Sequence, residues 1–201
     1  RGAICYNGGV GTNKQRVGRN IARPGMRCIE SIRGGIHMHR IKAVPITVEN
    51  FRPYGSFASM VDPEGHCFPG DNTFYPDQVE LNIRGGRPIT FSPLTVKKPE
   101  RMIVSQAEYH NTTSEGVFVI DDDAIIHVAP PSNKMIVPEK TEAFIVPKGT
   151  LVKLNTGVWH LAALPVHNDL LHVMIVLPER TYANDCVVCQ YPEDRQVEIV
   201  L

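Results

Sequence analysis

The sequence predicts a single all-β domain, and three observations lead to that prediction. From Met38 to Leu201, apolar and polar residues alternate at a period of two in short runs such as Val79-Glu80-Leu81-Asn82-Ile83. Turn signals separate these runs, notably Arg84-Gly85-Gly86-Arg87-Pro88, Pro130-Pro131-Ser132-Asn133 and Pro147-Lys148-Gly149. No segment carries a long 3.6-residue period with good caps. Many short strands at regular spacing argue for a closed or two-sheet antiparallel fold.

Taken in order, residues 41–48 are rich in strand formers, and Val48-Glu49-Asn50-Phe51 reads as a turn or short helix. Residues 54–58 lead into another extended run, and the stretch 66–76, crowded with Gly, Pro, Asn and Asp, is a loop. Strands are expected at 79–83, 89–91, 101–109, 116–120, 124–128, 143–146, 152–154 and 171–177. No internal repeat or low-complexity stretch interrupts them.

A chain of 201 residues, 42% hydrophobic and 21% charged, can bury a core without disulfides or metals. No run approaches the ~18–20 apolar residues of a membrane helix, and no secretory signal is visible, so no membrane partner is expected. The odd, scattered set Cys5, Cys28, Cys67, Cys186 and Cys189 is no disulfide framework, which points to a reducing cytoplasm.

The formal net charge of zero hides an asymmetry. Residues 1–37 hold seven basic residues against the single acid Glu30, a balance of +6, so the rest carries −6. Half of the sixteen glycines also lie before Met38. This basic, Gly-rich extension reads as lying outside a domain of residues 38–201. It fits a nucleic-acid arm, a transit peptide, or a vector-derived or mis-started extension. The third is preferred, because Met38-His-Arg-Ile-Lys-Ala-Val-Pro-Ile reads as a start leading into a first strand. No nucleic-acid partner is expected.

Two clusters could carry chemistry. In Glu108-Tyr109-His110-Asn111-Thr112-Thr113-Ser114-Glu115, a hairpin turn would bring the His110 imidazole and Glu115 carboxylate into one space, as a metal or acid/base site requires. In Asn155-Thr156-Gly157-Val158-Trp159-His160, a turn delivers the only tryptophan beside a histidine, to wall a pocket or fill a barrel end. His127, His167 and His172 read as structural. Cys186-Val187-Val188-Cys189 is half a zinc site with nothing near to complete it. There is no P-loop, dinucleotide fingerprint or nucleophile elbow.

Together these clusters resemble the ureidoglycolate lyase family, a cupin-fold group of allantoin degradation. Phe51-Arg52-Pro53-Tyr54-Gly55 matches a Phe-x-x-Tyr-Gly element, and Glu108-x-His110 with Glu115 matches a Glu-x-His followed five residues later by Gln or Glu. Residues 143–149 and Val152, through Val158-Trp159-His160, give the most specific match, and Asn184-Asp185-Cys186 resembles a polar Cys segment near the family's C-terminus. Three places depart. Leu161 and Ala162 replace a His and Pro, Pro93-Leu94 stands where an Asn-Arg pair is expected, and Asp121 stands for a Lys.

The resemblance implies a cupin-type double-stranded β-helix, a jelly-roll-like barrel with little helix. It implies cleavage of (S)-ureidoglycolate to glyoxylate and urea, a divalent metal with nickel the associated ion, and a homodimer. His110, Glu115 and His160 are the expected catalytic residues and metal ligands, and Tyr109 and Trp159 the expected substrate-binding wall. From the residue types alone, two imidazoles and a carboxylate suit manganese or zinc as well. A cupin lyase or isomerase for another small hydroxy acid or sugar acid, and a metabolite-binding cupin without turnover, are the alternatives. All three take a small molecule, a carboxylate in the first.

Overall fold

A computed structural model of the chain describes residues 38–201, and the basic extension lies outside them. Strands dominate, as expected, with only two single-turn α-helices among the described residues. In chain order, β1 (His39–Lys42) and β2 (Val44–Pro45) precede helix α1 (Val48–Phe51), and β3 (Gly55–Ser59) follows it. A long irregular segment leads to β4 (Ile89–Lys97), β5 (Ile103–Val104) and β6 (Gln106–Tyr109). Next come β7 (Glu115–Val119), β8 (Ala124–Ala129), β9 (Glu142–Val146), β10 (Thr150–Leu154), β11 (Trp159–His160) and β12 (Leu164–Pro165). The chain ends through β13 (Leu170–Pro178), helix α2 (Thr181–Asn184), β14 (Val187–Gln190) and β15 (Val197–Val200).

Two sheets build the barrel. One has the order β3-β10-β7-β13-β4, the other β14-β6-β11-β8-β9-β2 with β12 added beside β8. A small third sheet, β1-β15-β5, sits apart from that order. Val117 and Val119 of β7, Val152 and Leu154 of β10, and Leu171 and Val173 of β13 pack into one core with Ala124, Ile126 and Val128 of β8 and Phe144 and Val146 of β9. The two sheets therefore face each other across an apolar interior, each large buried side chain contributing about 1.5–3 kcal/mol.

The alternate residues of β8, Ile125 and Ala129, join a second core on the other side of their sheet, with Tyr109, Trp159, Tyr191, Val197 and Ile199. Consecutive side chains point to opposite faces of a strand, so β8 is buried on both. Its unbroken burial from Ala124 to Ala129 records that position.

The Phe51–Gly55 motif has a physical basis in this packing. Thr47 caps α1 by accepting from the Asn50 backbone N–H, while the Asn50 side chain accepts from the Thr47 N–H. The helix turns Phe51 into the first core, edge-on to Phe144 with ring centroids 5.3 Å apart. A Cβ at position 55 would lie 1.7 Å from the Lys153 carbonyl oxygen, so only glycine permits the β3–β10 approach.

Two expected strands differ. Residues 101–109 divide at Ser105 into β5 and β6, which belong to different sheets. Residues 79–83 alternate but form no strand, pairing only at an Ile83–Thr113 bridge. Their hydrogen bonds go to Ser114 instead: its N–H donates to the Asn82 carbonyl, and its hydroxyl accepts from the Asn82 N–H. Alternation there reflects a loop lying over the outer face of β7, where Leu81 approaches Gly116.

Candidate active site

The turns after β6, β10 and β13 meet at one end of the barrel. The Gly157 N–H donates to the His110 carbonyl at 2.8 Å, tying the first two together. Gly157 supports that turn with φ +84°, a left-handed conformation that favours glycine. The third connection is tied by Asp185, whose carboxylate accepts from the N–H groups of Asn111 and Thr112, both at 2.8 Å, and from the Thr112 hydroxyl at 2.6 Å. Burial raises the Asp185 carboxyl's affinity for a proton, but these donors prevail and lower its pKa.

Under that clamp, three expected residues converge. Glu115 opens β7 on one sheet, His110 follows β6 and His160 ends β11 on the other, and all three are buried. Glu115 Oε2 lies 2.9 Å from His110 Nε2 and 3.1 Å from His160 Nε2. Each imidazole has its other nitrogen against a backbone carbonyl. His110 Nδ1 is 2.6 Å from the Asp185 oxygen, and His160 Nδ1 is 2.9 Å from the Val158 oxygen. A carbonyl only accepts, so both Nδ1 atoms carry the proton, and in a neutral ring both Nε2 atoms present lone pairs.

Two lone pairs and a carboxylate oxygen cannot share one buried point without positive charge among them. Protons meet that need in the free protein. Burial pushes the Glu115 carboxyl up, yet His160 and His110 outweigh it and hold it at about 2. For His160, burial opposes the charge and Glu115 favours it more, so the imidazole pKa is raised. A divalent cation meets the same need, which is how this donor set fits a metal.

Glu108 was read in the sequence only as a motif member, yet the structure brings it into the same group. Glu108 and His160 are directly opposed in the β6–β11 register. Glu108, His110 and His160 each offer a ligand atom, all within 4.8 Å of one another. The Cys186 thiol donates to Glu108 Oε2 at 3.0 Å. Burial and then Glu108 push the Cys186 pKa up to about 12, so it remains a thiol and a donor. The alternation that puts Glu108 on the face of His110 was available in the sequence. The long-range contacts of Asp185 and Cys186 were not.

Tyr109 and Trp159 require correction as pocket-wall residues. Each is one residue away from a site histidine and so points through the opposite face of the sheet, into the second core. Their rings meet edge-on at 4.5 Å, and the Trp159 Nε1–H donates to the Ser132 hydroxyl. They support the histidine-bearing strands from behind. His127 is buried in β8 as a neutral ring, its pKa lowered to about 4 by burial and then by His160. Cys67, Cys186 and Cys189 are free thiols.

A cavity of about 340 Å³ opens onto Glu108, His110, Glu115 and Cys186. Its walls include Pro93, Leu94, Leu161 and Ala162, the positions at which the sequence departs from the family pattern. Asp121, the third departure, lies beyond the far end of β7, where it pairs with His172.

Among solved structures, the chain is similar to oxalate decarboxylase of Bacillus subtilis at 14% identity and TM-score 0.37, over 52% of this chain and 24% of that one. It is also similar to a dTDP sugar isomerase of Desulfovibrio desulfuricans G20 at 13% identity and TM-score 0.38, over 71% of this chain and 87% of that one. The chain thus spans about a quarter of the decarboxylase's length. No curated protein matches it. The sequence pattern of the ureidoglycolate lyase family matches residues 38–198, and this chain belongs to that family, part of the cupin superfamily.

Proposed function

We propose that the protein cleaves (S)-ureidoglycolate to glyoxylate and urea. The observation that carries this reading is the pair of buried imidazoles, each held by a backbone carbonyl so that its Nε2 faces Glu115, with Glu108 in the same group and His110, Glu115 and Glu108 lining a cavity of small-molecule size. Family membership supplies the substrate class.

Glu108, His110 and His160 would hold a divalent ion, which when bound supplies Lewis-acid polarisation of the substrate oxygens. Charge supports the metal independently. Glu108 and Glu115 alone would make the floor of the cavity repel a carboxylate substrate, and a divalent cation removes that repulsion. Nickel is the ion the family resemblance implies, and manganese or zinc fits the same donors.

Glu115 takes the second role. It is buried and on the cavity wall, so its carboxylate is placed to accept the substrate's hydroxyl proton as the carbonyl forms. The C–N bond then breaks, and the same proton passes from Glu115 to the leaving urea nitrogen. In the metal-free protein His110 and His160 hold the Glu115 oxygen between their Nε2 atoms.

The test is urea and glyoxylate release with added nickel, manganese or zinc, compared among the wild type, Glu115→Gln and Glu108→Gln. The reading requires Glu115→Gln to retain metal but lose turnover, and Glu108→Gln to lose metal affinity. If the metal-loaded wild type releases no urea, this substrate is overturned.

A homodimer belongs to the same reading. An apolar groove of about 450 Å³ on the outer face of the five-stranded sheet, including Phe91, Phe118 and Met174, supports it. Light scattering tests it. The free thiols support a reducing compartment such as the cytoplasm.

A further inference from the structure

The walls of the cavity present an electrostatic problem. Pro93, Leu94, Leu161 and Ala162 are apolar, while the floor carries Glu108 and Glu115. Among the described residues, Arg180 is the only lysine or arginine that lines it. We propose that Arg180 binds the substrate's carboxylate and sets the cavity's preference for anionic over neutral ligands. This rests on the reading of the cavity as a site for a small hydroxy acid.

Arg180 stands where β13 hands over to α2, in a left-handed backbone conformation with φ +61° and ψ +25°. A residue with a side chain adopts it at a cost, and the surroundings must hold it there. The Arg180 carbonyl accepts from the N–H groups of both Ala183 and Asn184 at 3.1 Å. Beside it, the Thr181 hydroxyl donates to the Pro178 carbonyl at 2.7 Å, and the Asp185 N–H donates to the Thr181 carbonyl at 2.8 Å. The same short segment ends in Asp185 and Cys186, which contact His110 and Glu108. One hydrogen-bonded stretch therefore sets where the Arg180 backbone stands relative to the candidate metal ligands.

The guanidinium is also uncommitted. Its contact with Glu179 is stretched to 3.8 Å, and its side chain is 71% exposed. A planar fork of donors at the cavity rim matches a carboxylate in bidentate geometry. The strong hydrogen bonds of the site are otherwise satisfied within the protein, leaving this cation for the ligand.

The test measures glycolate and its neutral analogue glycolamide by isothermal titration into the nickel-loaded full chain, for the wild type, Arg180→Gln and Arg180→Lys. The quantity of interest is the ratio of the two affinities, because any metal contribution is common to all three proteins and cancels in the comparison. Arg180→Gln should lower the glycolate preference about tenfold to a hundredfold while binding nickel as the wild type does, and Arg180→Lys should restore part of it. An unchanged ratio in Arg180→Gln, or no glycolate preference in the wild type, overturns the proposal. Urea release is measured separately. A wild type that prefers glycolate but cleaves no ureidoglycolate sinks the lyase reading and leaves Arg180 as the anion anchor of a different hydroxy-acid site.

Discussion

The two ends of β7 each carry a histidine–carboxylate group, and the groups share residue classes but little else. At the start of the strand, Glu115 meets His110 and His160, and the side chains are 3–7% exposed. Beyond its end, Asp121 meets His172 with side chains 41% and 47% exposed. The inner carboxylate is held between two rings whose remaining nitrogens are fixed by backbone carbonyls. The outer pair is a local clasp, with Asp121 also accepting from the His172 backbone N–H. Burial and fixed tautomers, rather than the residue types, make the first group a candidate for chemistry. Water screens the second, which limits what it contributes.

Breaking the inner group should have the largest effect. His110→Ala or His160→Ala removes an Nε2 donor and should abolish stoichiometric metal uptake. The accompanying fall in turnover should be about 10²–10⁴-fold, read from urea release. If either variant keeps full metal content and activity, the inner group is not the site.

The strand backing comes next. Trp159→Ala should cost about 3–5 kcal/mol in urea denaturation, because a fully buried ring and its hydrogen bond to Ser132 are lost. The more conservative Trp159→Phe should leave the KM unchanged, since the ring lies outside the cavity. A raised KM there would restore Trp159 as a wall residue.

His127 adds a pH dependence that an exposed histidine lacks. Its folded pKa of about 4 lies below the ordinary 6.5, so the unfolded chain binds the extra proton first. Its contribution is complete above pH 6.5 and lost as the pH falls through 4, amounting to roughly 3 kcal/mol. Stability measured at pH 7 and at pH 4 should show this loss in the wild type, and His127→Leu should show a loss smaller by about that amount.

Smaller effects should come from the clamp and then the outer pair. Asp185→Ala leaves three donors unpaired and loosens the turn that holds His110, and should weaken metal binding about 10–100-fold by calorimetric titration. His172→Ala should change stability by less than about 1 kcal/mol and metal content not at all. A metal-binding defect in His172→Ala would erase the distinction between the two ends of β7.

Much of this was legible beforehand, and the misses have specific causes. The alternation in residues 152–154 and the near-continuous apolar run at 124–128 indicated strands, the first buried on alternate residues and the second on both faces. Alternation in residues 79–83 misled, since that segment covers a sheet from outside and takes its hydrogen bonds from Ser114. His110, Glu115 and His160 were found as clusters flanking turns. Glu108 lacked an assigned role, although the period of two already placed it on the face of His110 and set Tyr109 and Trp159 on the face opposite their neighbouring histidines, where the second core receives them.

The sequence by itself determined the all-β class, the turn positions and the family to which the chain belongs. These follow from local backbone preference and from residue patterns read along the chain. Only the tertiary structure decided that Glu108 opposes His160, that Asp185 and Cys186 return to the site, and that Arg180 is, among the described residues, the one lysine or arginine lining the cavity. Strand register and barrel closure bring together site residues as far apart as Glu108 and Cys186, 78 positions along the chain. Those pairings depend on which faces are buried together, and no local run of sequence specifies that.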